Sequence, residues 1–124
     1  MDKKIQNFTD LDTWKLAHDF VIEVYKTTKS FPKHETYGLT SQLRRAASSI
    51  TANIAEGFSR YSYKDRARFY YLARGSASES HNHILIARDV NYLDTNESAI
   101  LIERINRVKQ VLNGLIRSTE RLIP

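Results

Sequence analysis

Few residues in this chain are typed and spaced for chemistry. The four histidines are His18, His34, His81 and His83. His81 and His83 stand two apart, which on a helix turns them to nearly opposite sides, so they cannot share an ion. Glu79 and His83, four apart, could share one. An inner-face histidine bonded to a carboxylate accounts equally for that pair. Bundles that hold two metals place Glu-x-x-His on two helices. Lys15, Phe31, Ser78 and Ser80 stand three residues before the four histidines, so that motif is absent. There is no cysteine, hence no disulfide framework and no thiolate metal site. A phosphate-loop glycine pattern and a Gly-x-Ser-x-Gly elbow are missing too. Serines are plentiful, but sequence pairs none with a base. The expectation is a protein that is not an enzyme, with no catalytic residues, no metal and no cofactor.

Charge is the stronger signal. Lys and Arg total 19 against 14 Asp and Glu, a formal charge of +5. Between positions 44 and 74 stand seven basic residues, Arg44, Arg45, Arg60, Lys64, Arg66, Arg68 and Arg74, against Glu56 and Asp65. Seven less two equals the net charge of the whole chain. Aromatic residues are interleaved here, in Phe58-Ser59-Arg60-Tyr61-Ser62-Tyr63-Lys64 and again from Arg66 to Arg74. Such mixing suits phosphate neutralisation together with base stacking on single strands or RNA loops. It also suits helix packing in which tyrosines bury rings and keep hydroxyls wet. These seven residues are the candidate nucleic-acid-binding surface.

A second constellation is polar. Over positions 37–60, Leu39, Leu43, Ala46, Ala47, Ile50 and Ile54 recur at steps of three and four, the spacing of one helical face. Gln42, Ser49, Asn53 and Glu56 lie beside that stripe. Buried amides and carboxylates must find partners. The expectation is a structural network of Gln42, Asn53, Glu56 and Glu79, joined to one another or to Arg45 between the second and third helices.

Four helices have to position these groups. The first spans about 11–29, opened by Thr9 and Asp10, with Trp14, Ala17, Val21, Val24, Tyr25 and Thr28 inward, Leu16 and Phe20 off that face, and a stop at Phe31-Pro32. The second spans about 38–56, with Gly57 as its terminator. The third, about 63–90, begins at Ser62 with Asp65 three positions on. Its inner face reads Phe69, Leu72, Ala73, Ser76, Ser80, His83, Ala87 and Val90, and Gly75 in its middle calls for a close helix neighbour. The fourth, about 95–122, follows an Asp94–Glu97 capping box and carries Leu101, Ile105, Val108, Leu112, Leu115 and Ile116. No strand pattern is present. Short connections make neighbouring helices antiparallel, so the expected class is all-α, an up-down four-helix bundle forming a single domain over 1–124.

With 124 residues the chain suffices for one core. No apolar run approaches the roughly 20 residues of a membrane span, and positions 1–10 hold no apolar signal core. No membrane association and a cytoplasmic location are the default. Apolar residues left off the inner faces, among them Ala67, Tyr70, Tyr71, Ile84, Leu85, Ile86, Leu16, Phe20, Ile102 and Val111, predict a homo-oligomer that buries part of them.

The stretch FPKHETYGLTSQLRRAASSITANIAEGFSR, followed by RFYYLARGSASES, resembles the bacterial 23S rRNA intervening-sequence proteins, a family of four-helix-bundle proteins. DLDTWKLAHDFVIEVYKTT is similar to their first helix. The motifs Gln-x-x-Arg-Arg-Ala, Asn-Ile-Ala-Glu-Gly and Ala-x-Gly-Ser are distinctive together. Gln42, Arg44, Arg45, Asn53, Glu56, Gly57, Gly75, Ser76 and Glu79 match the pattern. Ser80 departs from it where an apolar residue is usual, and Asn91 stands where glycine is frequent. The resemblance implies a bundle that assembles as a ring, a pentamer. A related branch, the accessory variability proteins of diversity-generating retroelements, binds nucleic acid and a reverse transcriptase. The resemblance therefore implies RNA, DNA or a protein such as a reverse transcriptase as partner, and it brings no catalytic residues.

Two functions follow from these readings. One is a small oligomeric, non-enzymatic accessory protein that meets nucleic acid through its basic surface. The alternative is a protein–protein interaction scaffold without direct nucleic-acid binding, its arginines paired with acidic neighbours.

Overall fold

The computed structural model describes residues 4–124. Four helices follow one another: α1 (Asp12–Thr28), α2 (Leu39–Ser59), α3 (Tyr63–Asp89) and α4 (Thr95–Glu120). Short 3-10 turns, Phe8–Asp10 and Lys33–Glu35, precede α1 and α2. Each helix packs on two others, α1 on α2, α2 on α3, α3 on α4 and α4 on α1, and the diagonal pairs do not meet. Cross-links run in opposite senses along neighbours: Tyr71 meets Glu120 and Arg74 meets Asn113. The bundle is therefore up-down and antiparallel, and no strand occurs among the described residues.

Local signals account for the helix starts. Ser62 Oγ accepts from the Asp65 amide at 3.1 Å and opens α3. Asp94 Oδ1 accepts from the Glu97 amide at 2.7 Å while Glu97 Oε1 accepts from the Asp94 amide at 3.1 Å, the reciprocal box expected before α4. The start of α1 differs. Leu11 stands at its N-cap, and the Asp10 carboxylate accepts from the Gln6 and Asn7 amides instead.

The core corrects three expectations. Phe20, placed off the inner face of α1, is fully buried, whereas Tyr25 is exposed. On α3 the buried stripe is Ala67, Tyr70, Ala73, Ala77, Ser80, His83, Ile84 and Ala87, while Leu72 and Val90 are each 49 % exposed. Apolar residues on several sides of α3 left the phase of its inner face open, and packing selected the side that seats the Tyr70 ring and Ile84. Phe20, Ala67, Tyr70 and Ile84 are thus core residues and not surplus surface.

The two mid-chain glycines exchange the roles expected of them. Gly57 does not end α2, which continues to Ser59. It is buried, and a Cβ there would lie 2.7 Å from Tyr70 Cε1 and 3.0 Å from Phe69 Cβ, so the glycine is what lets α3 approach. Gly75, expected at a close approach, faces open space, with nothing within 4 Å of an added Cβ.

Candidate nucleic-acid interface

The α2–α3 connection is only three residues, 60–62, so the end of α2 and the start of α3 form a tip. Five of the seven candidate basic residues, Arg60, Lys64, Arg66, Arg68 and Arg74, lie at this tip or on the first turns of α3. Arg44 and Arg45 do not join them. Fifteen residues of helix separate Arg45 from Arg60, a rise of about 22 Å. Arg44 instead donates from Nε to Thr28 Oγ1 at 2.8 Å and lies 4.8 Å from the Tyr25 ring centroid, bound to α1. Arg45 is exposed.

At the tip, guanidinium groups sit on aromatic rings. Arg60 and Arg68 lie 4.5 and 4.6 Å from the Phe69 centroid. Arg66 lies 5.3 Å from Phe58 and 5.5 Å from Tyr63, and its Nε donates to the Arg60 carbonyl at 2.8 Å. Arg74 lies 4.7 Å from the Tyr71 ring. Cation–π stacking leaves guanidinium edges free to donate, and the planar fork suits phosphate oxygens. Tyr61, at the turn itself, is 100 % exposed.

Acidic residues neutralise part of this charge. Arg60 pairs with Glu56 at 3.4 Å and Asp65 at 4.0 Å, and Arg68 pairs with Asp65 at 3.2 Å. These are solvent-exposed pairs, worth little to stability. Among the described residues Lys64, Arg66 and Arg74 have no carboxylate partner. Tyr71 donates to Glu120 Oε2 at 2.9 Å, and that bond, with some burial, holds its phenol above the usual value.

The polar network is smaller than expected and differently composed. Asn53 Nδ2 donates to the Ser49 carbonyl at 2.9 Å and to Ser49 Oγ at 3.1 Å, and Ser76 Oγ donates to Ser49 Oγ at 2.9 Å. Ser80, fully buried, returns its hydroxyl to the Ser76 carbonyl at 2.9 Å. The α2–α3 link therefore runs through serines, of which only the Ser49 position had been placed beside the α2 stripe. Within the chain Gln42, Arg45, Glu56 and Glu79 stay outside it. Gln42 is exposed, and Glu56 turns back to Ser59 and Arg60 on its own helix. Glu79 Oε1 stands 3.5 Å from His83 Nε2, too long for the expected hydrogen bond, so both ring nitrogens of this buried histidine lack a hydrogen-bond partner. The cause is geometric: these longer side chains reach the solvent-facing edge of the seam, and only serine and asparagine are short enough to bond inside it.

No group of three potential metal ligands is present among the described residues, and no helix there is long and apolar enough to cross a membrane. An antiparallel four-helix bundle with an arginine–aromatic tip is thus the class defined by fold and site. The family model of the 23S rRNA-intervening sequence protein matches residues 9–114, and the chain belongs to that family. A crystal structure of a protein with unknown function from the S23 ribosomal protein family of Bacteroides thetaiotaomicron has the same fold, at TM-score 0.76 and 18 % identity, covering 84 % of this chain and 97 % of that one. None of the curated proteins matches this chain.

Proposed function

We propose that this protein is a small, oligomeric, non-enzymatic accessory protein that binds single-stranded or looped nucleic acid through its α2–α3 tip. The observation that carries this reading is the arrangement of Arg60 and Arg68 about Phe69, beside Arg66 and the fully exposed Tyr61. Guanidinium forks fixed on rings lose little freedom when they meet phosphates, and an exposed ring gives a base a surface to stack on. Assembly would multiply the tips. Leu72, Gly75, Glu79, Ile86 and Val90 fall on one outer stripe of α3, with Leu72, Ile86 and Val90 at 49, 42 and 49 % exposure. Gln42 and Glu56, seven residues either side of Ser49, border that seam from α2. A second copy is the occupant of this stripe in our reading, in keeping with the ring implied by sequence resemblance.

Tag-free, nuclease-treated protein should bind fluorescent single-stranded RNA or DNA with an affinity that falls linearly with salt on log–log axes, by about 0.7 per phosphate neutralised. Joint replacement of Lys64, Arg66 and Arg68 by alanine should reduce that slope. No binding by the parent chain at about 50 mM salt would refute the reading. Light scattering after size exclusion should give a mass above the 14.4 kDa of one chain. The scaffold alternative draws on the pairing of Arg60 and Arg68 with Glu56 and Asp65. A native protein partner retained after nuclease treatment, with no salt-dependent binding of nucleic acid, would favour it.

A further inference from the structure

Lys109 on α4 and His81 on α3 meet across the seam between their helices, with Nζ 2.7 Å from Nδ1. Both are partly buried. At this distance the ammonium donates to Nδ1, so the imidazole is neutral with its proton on Nε2. Burial foremost, then the charges of Lys109 and Arg88, holds the His81 pKa below the usual imidazole value. Burial likewise lowers Lys109. Lys109 takes part in none of the ion pairs among the described residues, and Arg88 is already occupied by Asp89 at 2.9 Å. One helical repeat away, Arg74 Nη1 donates to Asn113 Oδ1 at 3.2 Å, again without a carboxylate. A shallow recess beside Lys109 is lined by Asn106, Gln110 and Asn113, with Glu103 and Arg107.

A half-buried ammonium whose nearest partner is another base lacks a countercharge. We propose that this seam is a binding site for a phosphate oxyanion, held between Lys109 and His81 and extended along α3 by Arg74 and Asn113. The anion supplies the charge that Lys109 lacks. As it enters, His81 takes a proton from solvent, Nδ1 changes from acceptor to donor, and both side chains then direct N–H groups at the anion. Binding is thereby coupled to proton uptake and tightens as pH falls. The charges acting on His81 are Lys109 from α4 and Arg88 from α3, while Glu103 and Arg107 flank the recess. A phosphate monoester and a backbone diester share this chemistry. The site stands apart from the α2–α3 tip and does not require that the tip bind nucleic acid.

The test is an NMR titration of the His81 ring in the full chain, assigned with His81→Gln. It is run with sodium phosphate, with dimethyl phosphate and with sodium chloride at equal ionic strength. Phosphate should raise the His81 pKa by about one unit, within the range set by a nearby opposite charge, while chloride leaves it in place. Exposed His34 serves as the internal control. A response to dimethyl phosphate as well identifies a diester site; a response to inorganic phosphate alone identifies a free or terminal phosphate. Lys109→Gln should start from a higher His81 pKa and lose the response. A His81 titration that neither phosphate moves, or that chloride moves equally, overturns the proposal. The parent chain alone decides this if the variant does not fold.

Discussion

Replacement of Gly57 by alanine is a sharp test of how α2 and α3 are packed. Backbone strain does not enter, since Gly57 lies within a helix and no glycine in the described chain has positive φ. Alanine is favoured over glycine in a helix by about 1 kcal/mol. Against this stands contact: the new methyl would meet Tyr70 Cε1 at 2.7 Å and Phe69 Cβ and Tyr70 Cδ1 at 3.0 Å. The Tyr70 ring is 2 % exposed and cannot swing away, and Phe69 Cβ moves only with its backbone. Overpacking of this kind costs about 1–3 kcal/mol. The net expectation is a loss of about 1–2 kcal/mol, which for a chain this size lowers the melting temperature by roughly 3–10 °C. Gly75→Ala is the paired control. With open space around its Cβ it should gain about 0.5–1 kcal/mol in the single chain. Urea unfolding followed by circular dichroism, at concentrations that keep single chains, reads both. A Gly57→Ala chain as stable as the parent would refute the packing argument.

Removal of the Ser49 hydroxyl should cost about 1 kcal/mol, because Ser76 and Asn53 both donate to it. Ser49→Ala combined with Ser76→Ala should cost less than the sum of the single changes, and additive urea midpoints would show that the two hydroxyls do not interact. Glu35 accepts from the Leu39 amide at 3.1 Å and from the Tyr92 hydroxyl at 2.8 Å, and these bonds, the amide first, hold its carboxyl below the ordinary glutamate value. Its stabilising effect is therefore present above the unfolded-state pKa and is lost as pH falls through the folded one. Melting temperature plotted against pH should fall less steeply on the acid side for Glu35→Gln than for the parent; identical acid limbs would refute this.

Elements with a single apolar stripe or a local capping signal were legible in the sequence. The α3 and α4 starts were set by Ser62, Asp65, Asp94 and Glu97, groups within one turn of the amides they bond. The fold class followed from four such periods and short connections. Where α3 had apolar residues on several sides, periodicity left the phase open, and Leu72 and Val90 were assigned inward in place of Tyr70 and Ile84. Gly57 and Gly75 look alike in sequence, since a helix terminator, a contact glycine and an open glycine differ only in what another helix brings near. The basic residues at the tip could be named from charge density, but their stacking on Phe58, Phe69 and Tyr71 could not. Lys109 and His81, 28 residues apart, gave no sign of contact. A lysine one helical turn from a residue opposite an α3 histidine was the available signal, and it required the register of α3 on α4.

The Tyr92–Glu35 bond joins the α1–α2 and α3–α4 connections, which are 57 residues apart in sequence, and His34 Nε2 lies 3.3 Å from the same hydroxyl. One end of the bundle is thus buttoned across the chain. The arginine-bearing end is held mainly by bonds among near neighbours, such as Arg66 to the Arg60 carbonyl. Thermal fluctuation is accordingly unequal along the long axis, and the tip is where the bundle can breathe without loosening its far end. A ligand grasped there would meet a surface able to adjust, on a base that keeps its shape.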